Sequence, residues 1–146
     1  DEVDPYLDEH LRLRQGPTAE MSCPYIRSGP LAGALALAHR GEPGRARSVA
    51  ATVTPDLVHP GNAEVLRSRL ALALGDIGTA RSLAERMVGM NRRPSPEEIP
   101  HEALALVQAL EASGDRGALT AFLPRARATS RYLAALKREC DRAEQR

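Results

Sequence analysis

An eleven-residue motif occurs twice in this chain and restricts the possible folds more than any other feature of the sequence. Residues 40–50 (RGEPGRARSVA) recur as residues 74–84 (LGDIGTARSLA), an offset of 34 residues. A looser third copy at residues 114–119 follows after a further 39 residues, and the Pro-rich connection at residues 91–96 can absorb the difference. Such repetition indicates a chain built from stacked copies of one small structural unit.

Each copy has the composition of a tight turn between two helices. An apolar helical run ends at a glycine, which can adopt the left-handed conformation that closes a helix (Gly41, Gly75, Gly114). An acidic residue follows, suited to cap the next helix or to lie at the positive end of its dipole (Glu42, Asp76, Asp115). Ala46 and Ala80 are predicted on the inner face of the second helix, where a small side chain lets two helices pack closely.

The composition favours an all-α fold. Aromatic residues make up only 3% of the 146 residues against 42% hydrophobic residues, so Ala, Leu and Val must fill the core. That core suits helix packing better than a sheet, and every apolar pattern has helical spacing. We therefore predict about seven helices in antiparallel hairpins, stacked as a short α-solenoid.

The expected organisation is one helical-repeat domain over residues 1–146. Residues 1–27 form an N-terminal helix, starting at Asp4, and a plug segment; residues 28–128 form about three hairpins; residues 129–146 form a C-terminal helix. For residues 18–28 the sequence is compatible with either a short helical turn or a segment that plugs the open end of the stack. The terminal helical pattern has no stop signal, so we expect a fragment of a longer polypeptide.

The end of the third hairpin departs from the repeat pattern. Pro124 removes a backbone donor and is predicted to kink or end the helix. Thr129 or Ser130 is predicted to cap the terminal helix. Its inner face is predicted to carry Tyr132, Leu133 and Leu136. Its basic residues are predicted to lie outside on a solvated face (Arg131, Lys137, Arg138, Arg142, Arg146).

The sequence contains no pattern typical of catalysis or metal binding. The four histidines, at positions 10, 39, 59 and 101, stand apart, and Cys23 and Cys140 have neither metal-ligand nor disulfide spacing. The glycines of the repeat lack the Lys-Ser/Thr pair and the preceding strand of a phosphate loop. We predict no enzyme activity, no metal and no cofactor.

The expected environment is the cytoplasm. Two distant cysteines suit a reducing compartment, and no run approaches a membrane span of ~20 apolar residues. A net charge of +1 gives no electrostatic basis for binding nucleic acid or an anionic membrane.

Over roughly residues 28–128 the chain resembles tetratricopeptide-like helical repeats. It is similar to the helical-repeat regions of large bacterial signalling proteins, including ATPase-type transcription regulators and nucleotide cyclases. The residues that carry the resemblance lie at the small turn and helix positions and at two first-helix positions (Gly41, Ala46, Gly75, Ala80, Gly114, Leu106, Leu110). The chain departs from the family by lacking an aromatic residue in the first helices and by having Leu119 where a small Ala is expected.

The resemblance implies binding through a concave face lined by the first helices of the hairpins. Matching the repeat register places seven residues there (Leu35, His39, Arg69, Leu72, His101, Gln108, Glu111). The alternative is a filled core, in which Leu35, Leu72 and Leu104 are covered by the N-terminal segment or by a neighbouring chain. The Lys and Asn of the family's chaperone-tail clamp are replaced here by Leu31, Val65 and Leu104, which excludes that receptor class.

Two hypotheses of function follow. The first is a non-catalytic protein-interaction or regulatory module of a larger signalling protein. Its partner is a protein or peptide segment, including other domains of the same polypeptide, and self-association is left open. The second is a helical accessory domain of an enzyme whose active site lies outside this chain.

Overall fold

The computed structural model describes residues 24–53, 60–89 and 98–145, together with Pro5. These ranges form seven α-helices and one 3-10 turn: α1 Pro24–His39, α2 Pro43–Ala51, α3 Pro60–Ala73, α4 Ile77–Gly89, α5 Glu98–Ser113, α6 Arg116–Thr129, the turn Ser130–Tyr132, and α7 Ala134–Gln145. The prediction of an all-α fold is confirmed. The helix predicted from Asp4, the connection at residues 54–59 and the capping box predicted at residues 95–98 lie outside the described residues, except for Pro5 and the helical backbone of residue 98.

In each of the three hairpins one glycine turn joins the two helices, as the repeat predicts. Gly41, Gly75 and Gly114 have φ values of 82°, 81° and 71°. In the first two turns the residue after the glycine donates its N–H back across the helix end, from Glu42 to the Leu37 carbonyl at 3.0 Å and from Asp76 to the Ala71 carbonyl at 2.9 Å. This Schellman geometry satisfies the last carbonyls of the first helix and turns the chain sharply into the second.

Two of the three acidic turn residues cap the following helix. Asp76 accepts the Thr79 N–H at 3.1 Å, and Asp115 accepts the Ala118 N–H at 2.9 Å. Glu42 makes no side-chain cap and instead pairs with Arg45 at 2.6 Å, because the longer side chain reaches past the helix start. The sequence predicted a cap or a dipole contact at all three positions, and the cap occurs only where the residue is Asp.

The two capping carboxylates have lowered pKa values. The Thr79 side chain, and then its backbone N–H, lower the pKa of Asp76. The backbone N–H of Ala118, and then the Arg81 guanidinium, lower the pKa of Asp115. The caps therefore stabilise the folded chain above the pKa of an unfolded aspartate, and this contribution is lost as the pH falls through the lowered values.

Replacing Gly75 with Ala is expected to lower the free energy of unfolding by roughly 1–2 kcal/mol, because an L residue is strained at positive φ. Gly78→Ala is the matched control. Gly78 lies three residues later in α4, and a Cβ there would meet only the Asp76 Oδ1 atom at 4.0 Å. The control should be neutral or stabilising by up to about 1 kcal/mol. Urea unfolding measures both, and equal stabilities for the two variants would contradict the left-handed turn.

The second hairpin is closed by a hydrogen bond that depends on a small residue. The Ser68 hydroxyl in α3 donates to the Ala80 carbonyl in α4 at 2.8 Å, and both residues are buried. Ala46, the counterpart of Ala80 in the first hairpin, is also fully buried. The prediction that Ala46 and Ala80 are close-packing positions on the inner face is confirmed by this burial.

The helices pack in two layers. The first helices of the hairpins lie side by side, α1 against α3 and α3 against α5, and α7 continues the layer against α5. Each second helix packs on its own first helix, and α4 also packs against α5. This order fits stacked hairpins and places the C-terminal ends of α1, α3 and α5 along one edge.

The buried side chains form two clusters that meet at α3. One joins α1 and α2 to Ala63 and Leu70 of α3. The other joins α4, α5, α6 and α7 to Val65 of α3. The core is therefore divided at the second hairpin.

The first helix begins earlier than the predicted start at residue 28. Helix α1 begins at Pro24 and contains Pro30. The backbone of residues 24–28 is helical. The sequence had been compatible with either a helical turn or a plug there.

The sequence predicted that Pro124 kinks or ends the second helix of the third hairpin. The helix does not end there. Helix α6 continues through Pro124 to Thr129. Pro124 and Thr120 are both exposed, so the Thr120 carbonyl that loses its helical donor lies on the side facing solvent.

The start of the terminal helix is also corrected. Neither Thr129 nor Ser130 caps it: their hydroxyls donate back to the carbonyls of Ala126 at 3.1 Å and Arg127 at 2.9 Å. The 3-10 turn then shifts the start of α7 to Ala134. Tyr132 was predicted inside but is 63% exposed.

The buried face of α7 is carried by three residues four and three apart, Leu136, Cys140 and Ala143. Leu136 is buried as predicted, and Leu133 is half-buried. Arg127 of α6 holds the outer side of α7 through Asp141 and Glu144, at 2.5 and 2.6 Å. Terminal helix and third hairpin are thus joined by an apolar contact inside and an ionic contact outside.

Candidate interaction site

One cavity of about 420 Å³ opens on the layer of first helices. Residues of α1, α3, α5 and α7 line it: His39, Arg69, Leu72, Ala73, Gln108, Glu111, Ala112 and Arg142. It lies at the C-terminal ends of the first helices, since His39 ends α1 and Ala73 ends α3. The turn glycines therefore set its position, because they fix where each first helix stops.

The repeat register explains which residues meet in the cavity. His39, Ala73 and Ala112 are equivalent positions of the three hairpins, as are Arg69 and Gln108, and Leu72 and Glu111. Stacking equivalent hairpins brings equivalent positions into columns across the layer. Five of the seven residues predicted on the concave face lie together in this cavity (His39, Arg69, Leu72, Gln108, Glu111).

The other two predicted residues lie elsewhere. Leu35 is buried in the core shared by the first hairpin and α3, because an apolar side chain at this register position is covered by its neighbours. His101 is exposed in the first turn of α5, seven residues before Gln108, the nearest residue of α5 that lines the cavity. At the helical rise of 1.5 Å this places it roughly 10 Å along the helix from the cavity.

Arg142 is one of three cavity residues that the sequence did not predict as part of the site. It was predicted on the outer face of the terminal helix, and it is exposed, but its guanidinium reaches Glu111 of α5 at 3.1 Å and also pairs with Glu139. Positions 111 and 142 have no local relation in the sequence, so no spacing rule connects them. Ala73 and Ala112 were also missed, although both are register equivalents of His39.

Arg69 has a different electrostatic environment from the other arginine of the cavity. Its side chain is half-buried, and across residues 24–53, 60–89 and 98–145 it makes no ion pair or hydrogen bond. Arg142, by contrast, is held by two carboxylates. The guanidinium of Arg69 is a preorganised fork of donors suited to a carboxylate.

The remaining residues supply apolar surface and polar groups that can donate and accept hydrogen bonds. Leu72, Ala73 and Ala112 give an apolar surface, while the Gln108 amide and the His39 imidazole can each donate and accept hydrogen bonds. The Arg69 guanidinium, beside apolar surface and these polar groups, can bind a short polypeptide stretch that carries a carboxylate side chain.

Other chemistry in the described part of the chain is sparse. Within those ranges no three His, Cys, Asp or Glu residues are grouped so that they could hold a metal ion. Cys140 is buried, and this burial raises the pKa of its thiol, which disfavours the nucleophilic thiolate. None of the helices described is long and apolar enough to cross a membrane.

No protein family, no curated protein and no solved structure matches this chain.

Proposed function

We propose that this chain is a non-catalytic protein-interaction module of tetratricopeptide-like hairpins that binds a segment of a protein partner in the concave cavity. The observation that supports it is the convergence of equivalent residues from three hairpins around Arg69, a half-buried arginine with no ion pair in the described ranges. The module belongs to a larger bacterial signalling protein, and its partner is another protein or another domain of the same polypeptide.

The chemistry of the cavity specifies the segment. A carboxylate side chain pairs with the Arg69 guanidinium, and a small apolar side chain beside it packs on Leu72 and Ala112. Glu111 disfavours a second acidic group next to the first, because its own carboxylate would repel it, and Arg142 is already paired with Glu111 and Glu139. An acidic residue flanked by apolar residues fits better than a run of acidic residues.

Arg69→Glu is expected to weaken binding of such a segment by roughly tenfold or more, because it replaces attraction by repulsion at the centre of the site. The partner segment is first selected from a random peptide library with the wild-type chain, and affinities are then measured by titration calorimetry. Arg138→Glu is the matched control, since it makes the same charge change at an exposed residue outside the cavity.

The control should bind within about twofold of the wild type, and melting curves should show that both variants are folded. Equal affinities for Arg69→Glu and Arg138→Glu at equal stability would remove Arg69 from the site. Selection of no peptide by the wild type would count against the proposed function itself.

A further inference from the structure

A second cavity, of about 410 Å³, separates the first hairpin from the second on the opposite side of the first-helix layer. Its apolar lining comes from α1, α2, α3 and α4 (Leu31, Ala50, Leu70, Ala71, Leu74, Leu83). Among the described residues α2 packs on α1 and makes no extended contact with α3 or α4, whereas its counterpart α4 packs closely against α5. The junction between the second and third hairpins is therefore closed. The junction between the first and second hairpins, which contains the second cavity, is open.

The repeat register shows what the open junction lacks. At the closed junction Arg81 of α4 pairs with Asp115, the turn residue of the next hairpin, at 2.9 Å. The equivalents of these two residues are Arg47 and Asp76. Both line the second cavity, and in the described ranges they are not paired with each other.

Burial of equivalent apolar residues differs in the same way. Ala84 and Met87 of α4 are 0% and 1% exposed, whereas their counterparts, Ala50 of α2 and Val53 just after its end, are only half-buried. The sequence of α2 thus retains both the apolar residues and the basic residue that the closed junction uses.

Arg47 also lacks the second partner that its counterpart has. Arg81 pairs with Glu85 one turn later at 2.7 Å, and the position equivalent to Glu85 is Ala51. Asp76 is therefore the carboxylate that the register assigns to Arg47.

We propose that the first hairpin moves between the open arrangement seen here and a closed arrangement in which α2 packs against α3, as α4 packs against α5. Closure pairs Arg47 with Asp76, removes the second cavity and buries Ala50 and Val53. The packing of α1 on α3 is the pivot, since these helices line both cavities and lie between them. Removal of apolar surface from water favours the closed form.

Distances between spin labels in the chain test the closure. The measurement needs no ligand, so its result is independent of the proposed function. Cys23→Ser and Cys140→Ala first remove the native thiols. Labels are then attached to cysteines replacing Ser48 and Gly78, which are both exposed. The matched control carries labels at the equivalent positions of the closed junction, Ser82 and Gly117, and a Cβ at either glycine meets nothing closer than 3.8 Å.

The control pair should give one short distance. The Ser48–Gly78 pair should give two populations, the shorter one matching the control. Arg47→Glu should deplete that shorter population by roughly tenfold, and Arg47→Lys should retain it. A single long distance for Ser48–Gly78, unchanged by Arg47→Glu in protein with a wild-type circular dichroism spectrum, would overturn the proposal.

Discussion

Replacing Ala80 with Leu is expected to lower the free energy of unfolding by about 1–3 kcal/mol. Ala80 is fully buried, and its carbonyl accepts the Ser68 hydroxyl from the facing helix at 2.8 Å. Three further carbon atoms at this position would force α3 and α4 apart and break that hydrogen bond, which would leave a buried hydroxyl without a partner. Chemical denaturation measures the effect.

Ser82→Leu is the matched control, because Ser82 is exposed in the same helix two residues later. It adds apolar volume without overpacking and should change stability by no more than about 0.5 kcal/mol. If Ala80→Leu unfolded at the same denaturant concentration as the control, position 80 would not be the point of close helix contact.

The reciprocal substitution in the third hairpin, from Leu to Ala, is expected to lower the free energy of unfolding further. Leu119 occupies the position equivalent to Ala80, and Leu119→Ala should cost about 2–5 kcal/mol. Leu119 is 2% exposed and belongs to the larger apolar cluster with Leu123 and Ala126. The third hairpin is therefore built around a large side chain, and the small residue typical of the repeat would leave a cavity.

Thr120→Ala, at the adjacent exposed position, is the control for Leu119→Ala and should be nearly neutral. A Leu119→Ala variant as stable as this control would mean that the third hairpin can close around a small residue. Opposite requirements at equivalent positions, small at 80 and large at 119, would show that each hairpin has its own packing.

The turns and their register could be predicted from the sequence because they depend on local chemistry. A glycine at the end of an apolar run and an aspartate after it specify a left-handed helix end and a cap, and Gly75 with Asp76 has both features. Helical periodicity likewise identified α3, α4 and α5. These features need no knowledge of what the helices pack against.

The elements that sequence analysis placed wrongly depend on tertiary surroundings. Pro124 is compatible with a continuous helix because the donor it removes lies on an exposed face. Tyr132 is excluded from the core because a 3-10 turn interrupts the pattern that would have turned it inward. Neither the exposure of one helix face nor the length of a turn can be predicted from spacing alone.

The candidate site shows the same division. His39, Arg69 and Gln108 were predicted because the repeat register places them on one face of the first helices. Arg69 is equivalent to Gln108, and His39 is equivalent to Ala73 and Ala112. Arg142 was not found, since its ion pair with Glu111 spans 31 residues and joins two elements of different register. The repeat predicts the cavity residues that the hairpins contribute. It does not predict Arg142, because the terminal helix is not part of the repeat.

The division of the core at α3 has a consequence for how the chain loses its structure. The first hairpin shares apolar contacts with the rest of the described chain through one helix, which gives Ala63 and Leu70 to one cluster and Val65 to the other. Coupling between neighbouring units in a linear array is set by such shared interfaces. Backbone amides of α1 and α2 can therefore exchange with solvent by a local opening that leaves α5 to α7 intact, and one melting temperature does not describe both parts of the molecule.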